Sequence, residues 1–423
     1  MKVLLSHYRY FVSSGPERYM FNLIKHMDQG GIDILPFSVT YDQNQPSQYR
    51  QYFVPPIGRT DQVYFHEHER SLRTFSRTLS RLIFSREVEK AVSRMIEETK
   101  PDIAYILCYL RKLSPSLLKG IKKHNLPIVA RLSDFGMVCP QQHCLRSGKP
   151  CTLCVEGNLL PSIRHRCVKG SHLASAVDAM ATWYHRFKRY FELIDCFIAT
   201  NPFMAEIMVR AGYPDSRIEC IPTFTDTEAF KPTHAEKNGK QLVYIGRLDP
   251  PKGLEVLIEA MGILKNERKI DGLKAVVIGA GHDQDYVSRL HRQIQTNNLE
   301  RYVDMKGKMP PDTIADYLGS AYMTVIPSIW YENLPNTLIE SYACGTPVVA
   351  SKIGSLAMVV EENQTGLLFE PGNANDLADK LCFAMEHPSR IHEYALNCYQ
   401  KATNEFSYQA HIDLLMKTFE RFV

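Results

Sequence analysis

Short apolar runs, each the length of one strand, alternate with longer amphipathic stretches along most of this chain, and few folds accommodate that alternation. Strand-like runs fall at 3–6, 32–39, 103–108, 128–131, 196–200 and 218–221, and again at 242–245, 275–278, 303–306, 322–326, 348–350 and 366–369. Between them lie helical patterns at 17–27, one long helix near 72–98, 117–123, 172–190 and 203–211. The second half continues with 253–264, 285–295, 312–318 and 335–344, and an amphipathic tail at 406–422 closes the chain. Strands that are apolar throughout and separated by helices belong to parallel sheets covered on both faces. The pattern runs through twice and breaks at the polar, Pro-bearing stretch 222–240. The expected architecture is therefore α/β, with two doubly wound (Rossmann-like) parallel-sheet domains facing a cleft. The boundaries are 1–222, with a cysteine-rich insertion at 133–171, then 223–395, then helices over 396–423 whose last member crosses back to the first domain.

A chain of 423 residues is long enough for two or three domains. No apolar run approaches the roughly 20 residues of a spanning helix, and residues 2–7 are too short for a signal-peptide core. A cytosolic location is expected, so 11 cysteines argue for thiols or a metal rather than disulfides. The net charge of +4 is unevenly spread: residues 1–231 carry 31 Lys/Arg against 22 Asp/Glu, leaving 19 against 24 beyond. A basic first half fits an anionic partner or surface, and equally simple compositional drift.

Three segments carry chemistry. Gly246-Arg247-Leu248-Asp249-Pro250-Pro251-Lys252-Gly253 follows a strand and opens a helix. Arg can fork onto phosphate oxygens and Lys can act as a point charge there. Ser13-Ser14-Gly15-Pro16-Glu17-Arg18 stands in the same place after the first strand, where Gly15 allows close backbone approach. Ser328 to Glu340 holds two carboxylates eight positions apart, Glu332 in a Pro-bounded loop and Glu340 about two turns into the next helix. Gly279-Ala280-Gly281 admits a ribose or is only a tight turn. Glycosidases need two carboxylates flanking one bond, roughly 5 to 9.5 Å apart. The spacing of Glu332 and Glu340 suits holding one ligand at two places better than cutting a glycoside.

Taken together, Gly-Arg-Leu-x4-Lys-Gly at 246–253, Pro-Ser-x-Trp-Tyr-Glu-Asn-Leu-Pro-Asn-Thr-Leu-Ile-Glu at 327–340, Ala-Cys-Gly-Thr-Pro-Val-Val-Ala-Ser at 343–351 and Gly-Leu-Leu-Phe-Glu-Pro-Gly at 366–372 resemble the retaining group 1 (family 4) glycosyltransferases of the two-domain GT-B class. The resemblance is strong over about 242–390 and looser before 222. It implies that Arg247 and Lys252 meet a donor pyrophosphate, that Glu332 lies by the donor sugar and that Glu340 holds the ribose. Gly15, Gly246 and the amides of Asn333 and Leu334 would flank the same donor. It also implies retention and no divalent metal for catalysis, on the expectation that the chain has no Asp-x-Asp triplet to chelate one. Two departures stand out. Ser133-Asp134 occupies the place of a frequent His-Asp, which makes Asp134 the substitute on the acceptor side or merely a turn cap. Ala357-Met358 replaces a frequent Glu.

Cys139, Cys144, Cys151, Cys154 and Cys167 crowd one irregular segment, with His143 and His165 nearby. Cys-x2-Cys with flanking thiols is zinc-like spacing, and Cys139, Cys151, Cys154 and Cys167 form the expected set, with Cys144 as the spare. A reduced metal-free loop, or an iron–sulfur cluster, is the alternative. A subset of the resembled enzymes has Cys-Pro after an Asp-aromatic element, as in Asp134 to Pro140. Arg70, Arg73, Arg77 and Arg81 recur at three or four residues among Leu72, Phe75, Leu79 and Leu82, a membrane-surface pattern or a solvated helix face. His185 to Phe191 is a second basic-aromatic patch. The expected activity is hexosyl transfer from a nucleotide sugar to a glycan or lipid-linked acceptor in cell-surface polysaccharide or glycolipid synthesis, at the inner face of the membrane. An epimerase or phosphorylase on the same fold, or a zinc module binding nucleic acid, are the competing readings. The last is disfavoured because the basic segments lack a reading-helix pattern.

Overall fold

The computed structural model describes residues 1–64, 67–69, 71–232 and 238–423, with 238–240 by backbone only. Arg70 and the middle of the expected 222–240 joint lie outside these. Among the described residues the chain forms two six-stranded parallel sheets and one small hairpin. The first domain runs β1 (Lys2–His7), α1 (Gly15–Gln29), β2 (Asp33–Phe37), α2 (Leu72–Ile83), α3 (Arg86–Thr99), β3 (Ile103–Cys108), α4 (Ser116–Lys122) and β4 (Ile128–Arg131). The hairpin β5 (Leu145–Arg146) and β6 (Lys149–Pro150) follows, then α5 (Leu160–Arg164), α6 (His172–Phe187), β7 (Cys196–Ala199), α7 (Pro202–Arg210) and β8 (Ile218–Cys220). The second domain contains β9 (Asn238–Ile245), α8 (Leu254–Asn266), β10 (Lys274–Ile278), α9 (Gln284–Thr296), β11 (Val303–Gly307), α10 (Pro311–Ser320) and β12 (Ala321–Ile326). It continues with α11 (Asn336–Ala343), β13 (Val348–Ser351), α12 (Gly354–Val359), β14 (Gly366–Phe369), α13 (Ala374–Glu386), α14 (Pro388–Glu405) and α15 (Tyr408–Glu420).

Strand order decides where a ligand can sit. The first sheet is ordered β2-β1-β3-β4-β7-β8 and the second β11-β10-β9-β12-β13-β14. In the first, the chain goes from β1 to β2 on one side, then returns to place β3 on the other, so the β1 and β3 loops diverge. In the second, β9 takes β10 on one side and β12 on the other. These two reversals leave crevices at the carboxyl ends of β1/β3 and β9/β12, where open parallel sheets bind ligands. The strands beside them are buried along their length, as the apolar runs required.

The structure differs from the sequence reading in several elements. The long helix near 72–98 is two helices, α2 and α3. Phe84 is extended and the Ser85 hydroxyl accepts from the Val88 N–H, so a new N-cap interrupts the apolar periodicity. The helix expected to reach 190 stops at Phe187, because Arg189 takes a left-handed conformation at φ 54°. The stretch expected to be irregular holds the β5–β6 hairpin and α5. The sequence reading gave no elements between 370 and 395, where α13 and the start of α14 lie.

The last helix lies under the first sheet. Ile412, Leu415 and Phe419 of α15 pack with Leu5, Tyr19 and Tyr105. His411 there bonds Tyr19 Oη (2.9 Å) and the Pro222 carbonyl (2.7 Å). The preceding α14 packs on α11 of the second domain. One continuous helical tail therefore spans both domains.

Burial holds His7, His185 and His411 neutral, lowering their pKa from 6.5 to about 4, about 4 and about 3. The unfolded chain protonates these rings below about pH 6.5, the folded chain only near 4 or 3. The unfolded state thus binds more protons in that window, and stability falls as pH drops through it. Thermal melts from about pH 7 to about pH 4.5 should show a steep fall in melting temperature. His185→Asn should lower the neutral-pH value and flatten the slope; an unchanged slope refutes this account.

Candidate active site

The site forms where the two crevices face each other, and one loop joins them. Residues 327–335, between β12 and α11, are pinned from every side. Glu332 Oε1 accepts from Lys252 Nζ (2.7 Å), Ser328 Oγ (2.7 Å) and Trp330 Nε1 (2.8 Å). The Glu332 carbonyl accepts from Ser355 Oγ (3.0 Å). Burial alone would push this carboxyl up, but Lys252 and the hydrogen bonds hold it below the usual glutamate range. Lys252 reaches Glu332 because Gly253, at φ 70°, passes under the loop: a Cβ there would lie 1.8 Å from the Pro327 carbonyl oxygen.

Asn333 ties this loop to the first domain. Its Nδ2 donates to the Leu132 carbonyl (2.9 Å) at the end of β4. Asn201 Nδ2 donates to the Asn333 carbonyl (2.6 Å), and the Thr200 hydroxyl donates to Asn333 Oδ1. Leu334 beside it is buried in the second domain's core. The sequence reading used only the amides of these two residues; the Asn333 side chain acts as a cross-domain bracket.

The starts of α1 and α11 meet across the cleft. A Cβ on Gly15, the first residue of α1, would lie 3.2 Å from Asn336 Nδ2, the first residue of α11. Arg18, one turn along α1, places Nη1 2.7 Å from Glu340 Oε1 on α11. Glu340 is buried, which raises its pKa against the opposing effect of Arg18. Because α11 begins at Asn336, Glu340 lies only about one turn into the helix, roughly 6 Å along it, rather than two. Ser14 and Glu17 form a capping box that shapes the Gly15 turn, with Arg9 Nη1 on Glu17 Oε1 at 3.0 Å. No side-chain cap covers the start of α11, so its first N–H groups and those of α1 point their positive dipole ends at one region.

Arg247, just after β9, is half exposed and pairs with Asp249 at 3.0 Å. Gly246 donates its N–H to the Ile278 carbonyl (3.0 Å), and a Cβ on it would touch Tyr244 Oη at 3.3 Å. Glu332 and Lys252 thus share one corner, while Gly15, Arg18 and Glu340 share another.

A cavity of about 460 Å³ opens beside α1 at the β1/β3 crevice. Arg9, Arg111, Lys112 and Arg131 line it, against Glu17 and Asp134. Asp134 Oδ1 accepts from the Gly136 N–H (2.7 Å), so it does cap a turn. Burial raises its pKa, opposed by that bond, His143 and Arg111.

The sequence reading counted His143 only as a neighbour of the thiols. The structure puts it on the cavity wall, open to solvent, with its ring 5.4 Å from that of Trp330. Gln142 and Cys144 on either side of it are left-handed, at φ 74° and 47°. Hydrogen bonds fix both: Gln142 N–H to Cys139 O (2.9 Å), Phe135 N–H to Gln142 O (3.1 Å) and Cys151 N–H to Cys144 O (2.7 Å). Strain of this kind persists where the surroundings enforce it, often at ligand sites. Nothing in a linear reading pairs His143 with Trp330, or Arg18 with Glu340.

The cysteines and the acidic triplet need correction. Among the described residues no group of three or more His, Cys, Asp or Glu side chains stands ready to hold a metal ion, so the expected four-thiol arrangement is not formed. The spare, Cys144, is instead the partner of Cys139, because the 139–142 turn folds one back on the other. A hydrogen bond from Cys144 lowers the Cys139 thiol to about 6. All five thiols nonetheless line one small pocket. An Asp-x-Asp triplet does occur, Asp283-Gln284-Asp285. Asp283 caps α9, accepting from the Asp285 (3.0 Å) and Tyr286 (3.1 Å) N–H groups.

Two parallel-sheet α/β domains with crevices facing a shared loop define the GT-B architecture. It matches, with TM-score 0.73 and 19% identity, sucrose-phosphate synthase from Thermosynechococcus elongatus, covering 99% of this chain and 98% of that one. It matches Anabaena HepE in complex with UDP-glucose at TM-score 0.66 and 18% identity, covering all of both chains. Residues 225–405 match the family model of the glycosyl transferases group 1. A curated relative, D-inositol 3-phosphate glycosyltransferase of Paenarthrobacter aurescens, is 28% identical over 195 residues, 44% of this chain and 47% of the relative. With this relative and others of the same name the chain spans about half their length.

Glu332→Ala removes three hydrogen bonds and leaves Lys252 without its partner. Hydrogen bonds to a charged group contribute about 1.5 to 3 kcal/mol each way of counting, so a loss of that order is expected. Chemical denaturation measures it; a change within about 0.5 kcal/mol shows that the loop holds its shape without Glu332.

Proposed function

We propose that the protein transfers a hexosyl group from a nucleoside-diphosphate sugar to an acceptor hydroxyl, with retention of configuration. The observation that carries this reading is the meeting of the α1 and α11 starts, Gly15 against Asn336, with Lys252 held by Glu332 on the loop that leads into α11. Two helix N-termini and a cation suit a diphosphate. HepE, of the same fold, has been solved with UDP-glucose.

In this reading the bond from the sugar C1 to the diphosphate oxygen breaks, and the electron pair leaves with the diphosphate. Arg247, Lys252 and the amides of Gly15, Asn333 and Leu334 stabilise that charge. The acceptor oxygen bonds C1 on the same face, and its proton passes to the departing phosphate oxygen. No step calls on a metal ion. Glu332 orients the sugar, and Glu340 takes the ribose hydroxyls as Arg18 shifts within the pair. His143 and Asp134 meet the acceptor in the 460 Å³ cavity. The cationic lining of that cavity suits a glycan or lipid-linked acceptor bearing negative charge, as in cell-surface polysaccharide or glycolipid synthesis.

The five thiols support a second, structural reading: a zinc ion that would draw Cys139, Cys151, Cys154 and Cys167 together, from side-chain positions that do not form a site by themselves, and fix the loop bearing His143. Its support is the shared pocket and the lowered Cys139 thiol. Metal analysis of the purified protein finding far less than one equivalent would sink it.

A thermal-shift screen of UDP-, GDP-, ADP- and CMP-sugars should identify one stabilising donor. With it, Arg247→Ala and Lys252→Ala should lower turnover by about 10² to 10³. Glu340→Ala should mainly weaken donor binding, by about tenfold. His143→Ala should lower acceptor kcat/KM while leaving donor affinity unchanged. Wild-type turnover in both cation variants refutes the electrostatic role.

A further inference from the structure

Seven of the exposed large apolar side chains of the first domain lie on two helices, α2 and α6. On α6, Leu173, Met180, Trp183 and Phe187 are all exposed, Trp183 at 58% and Phe187 at 64%. Their spacing of seven, three and four places them along one stripe of the helix. On α2, Leu72, Phe75 and Leu79 repeat the pattern, with Leu72 at 90% exposure. The two helices pack together, and His185 on the inner side of α6 donates from Nε2 to the Ile83 carbonyl (3.0 Å) at the end of α2. The stripes thus share a scaffold. Leu160 of α5, which also packs on α6, adds to the exposed apolar surface.

The sequence patterns pointed elsewhere in part. Arg81 is buried, on the Pro55 carbonyl and Glu87, and His185, Tyr190 and Phe191 are buried too. What remains outside is the apolar stripe with exposed cations, Arg73 on α2 and Lys169 and Lys188 flanking α6. Acid is scarce there. α2 has no Asp or Glu, and the one acid of α6, Asp178, is paired with Arg111 at 3.2 Å.

We infer that the α2–α6 face docks on an anionic lipid bilayer. Apolar side chains, three of them aromatic, edged by Lys and Arg and free of unpaired acid, match the headgroup–acyl boundary of such a membrane. A patch of this kind is more than scattered surface hydrophobics. No helix among the described residues is long and apolar enough to cross a membrane, so the contact lies in the interface plane. The inward side of α6 braces two residues that line the acceptor cavity. Asp178 anchors Arg111, and Arg186 Nη2 donates to the Met137 carbonyl (3.3 Å); Arg111 and Met137 both line that cavity. The bilayer would then lie about one helix diameter, roughly 10 Å, from the cavity wall. This placement, which rests on the transferase reading, would let a lipid-linked acceptor stay anchored while its polar head reaches the site.

Trp183 sits in the stripe and reports on it. The full chain should co-sediment with vesicles of equal parts phosphatidylglycerol and phosphatidylcholine at low salt, and its emission should shift to the blue. Trp183→Phe should abolish the shift while leaving the other tryptophan, Trp330, in place. The double variant Phe75→Ser with Phe187→Ser should bind at least tenfold more weakly, with its melting temperature retained. Lys169→Glu with Lys188→Glu should weaken binding and remove its salt sensitivity. No binding at low salt, or equal binding by the serine variant, overturns the inference. So does light scattering that shows self-association abolished by the serine variant with vesicles ignored, since the face is then a contact between copies. Donor thermal shifts on the same samples separate the two readings: vesicle binding without any nucleotide-sugar stabilisation keeps this inference and sinks the transferase reading.

Discussion

The Glu332 carboxylate organises the cleft. A buried carboxylate must be paired and hydrogen-bonded to remain ionised, and here Lys252, Ser328 and Trp330 all converge on one oxygen. Those partners come from the β9 loop and from the β12 loop itself. Satisfying a single charge therefore sets the distance between two loops, the direction of the Lys252 ammonium and the plane of the Trp330 indole. That indole in turn stands against the His143 ring of the other domain. Gly253 permits the whole arrangement, because any Cβ would strike Pro327.

The next residue performs the corresponding task between domains. Asn333 bonds Leu132, Asn201 and Thr200, all at the ends of β4 and β7. Consecutive residues thus lock the loop to its own sheet and to the opposite one. Each crevice alone is a common feature of parallel sheets. The two together, bracketed by Asn333 and the Arg18–Glu340 pair, make a site with helix starts on both sides.

Much of the architecture was legible in the chain, for a simple reason. A strand of a parallel sheet is buried on both faces, so it reads as an unbroken apolar run, and the runs at 103–108, 322–326 and 348–350 fall on β3, β12 and β13. Local capping was less legible. Ser85 split one expected helix, and left-handed Arg189 ended another early, both by backbone choices that periodicity does not encode. Cross-domain pairs were not legible at all. Arg18 and Glu340 are 322 positions apart, and nothing in either segment names the other. The thiol spacing suggested Cys139, Cys151, Cys154 and Cys167 as a set with Cys144 spare, while the turn at 139–142 brings Cys144 to Cys139.

The sequence by itself determined that the chain folds as two parallel α/β domains, and which loops carry cations, glycines and carboxylates, because burial and turn chemistry act over a few residues. Only the tertiary structure decided who partners whom. Lys252 and Arg247, which look like free cations in the sequence, are held by Glu332 and Asp249. His143 leaves the thiols for the cavity, and the apolar stripes of α2 and α6 are turned outward together. Periodicity records that a residue is apolar or charged, but which surface it meets depends on how distant segments pack, and that is settled only when the sheets are assembled.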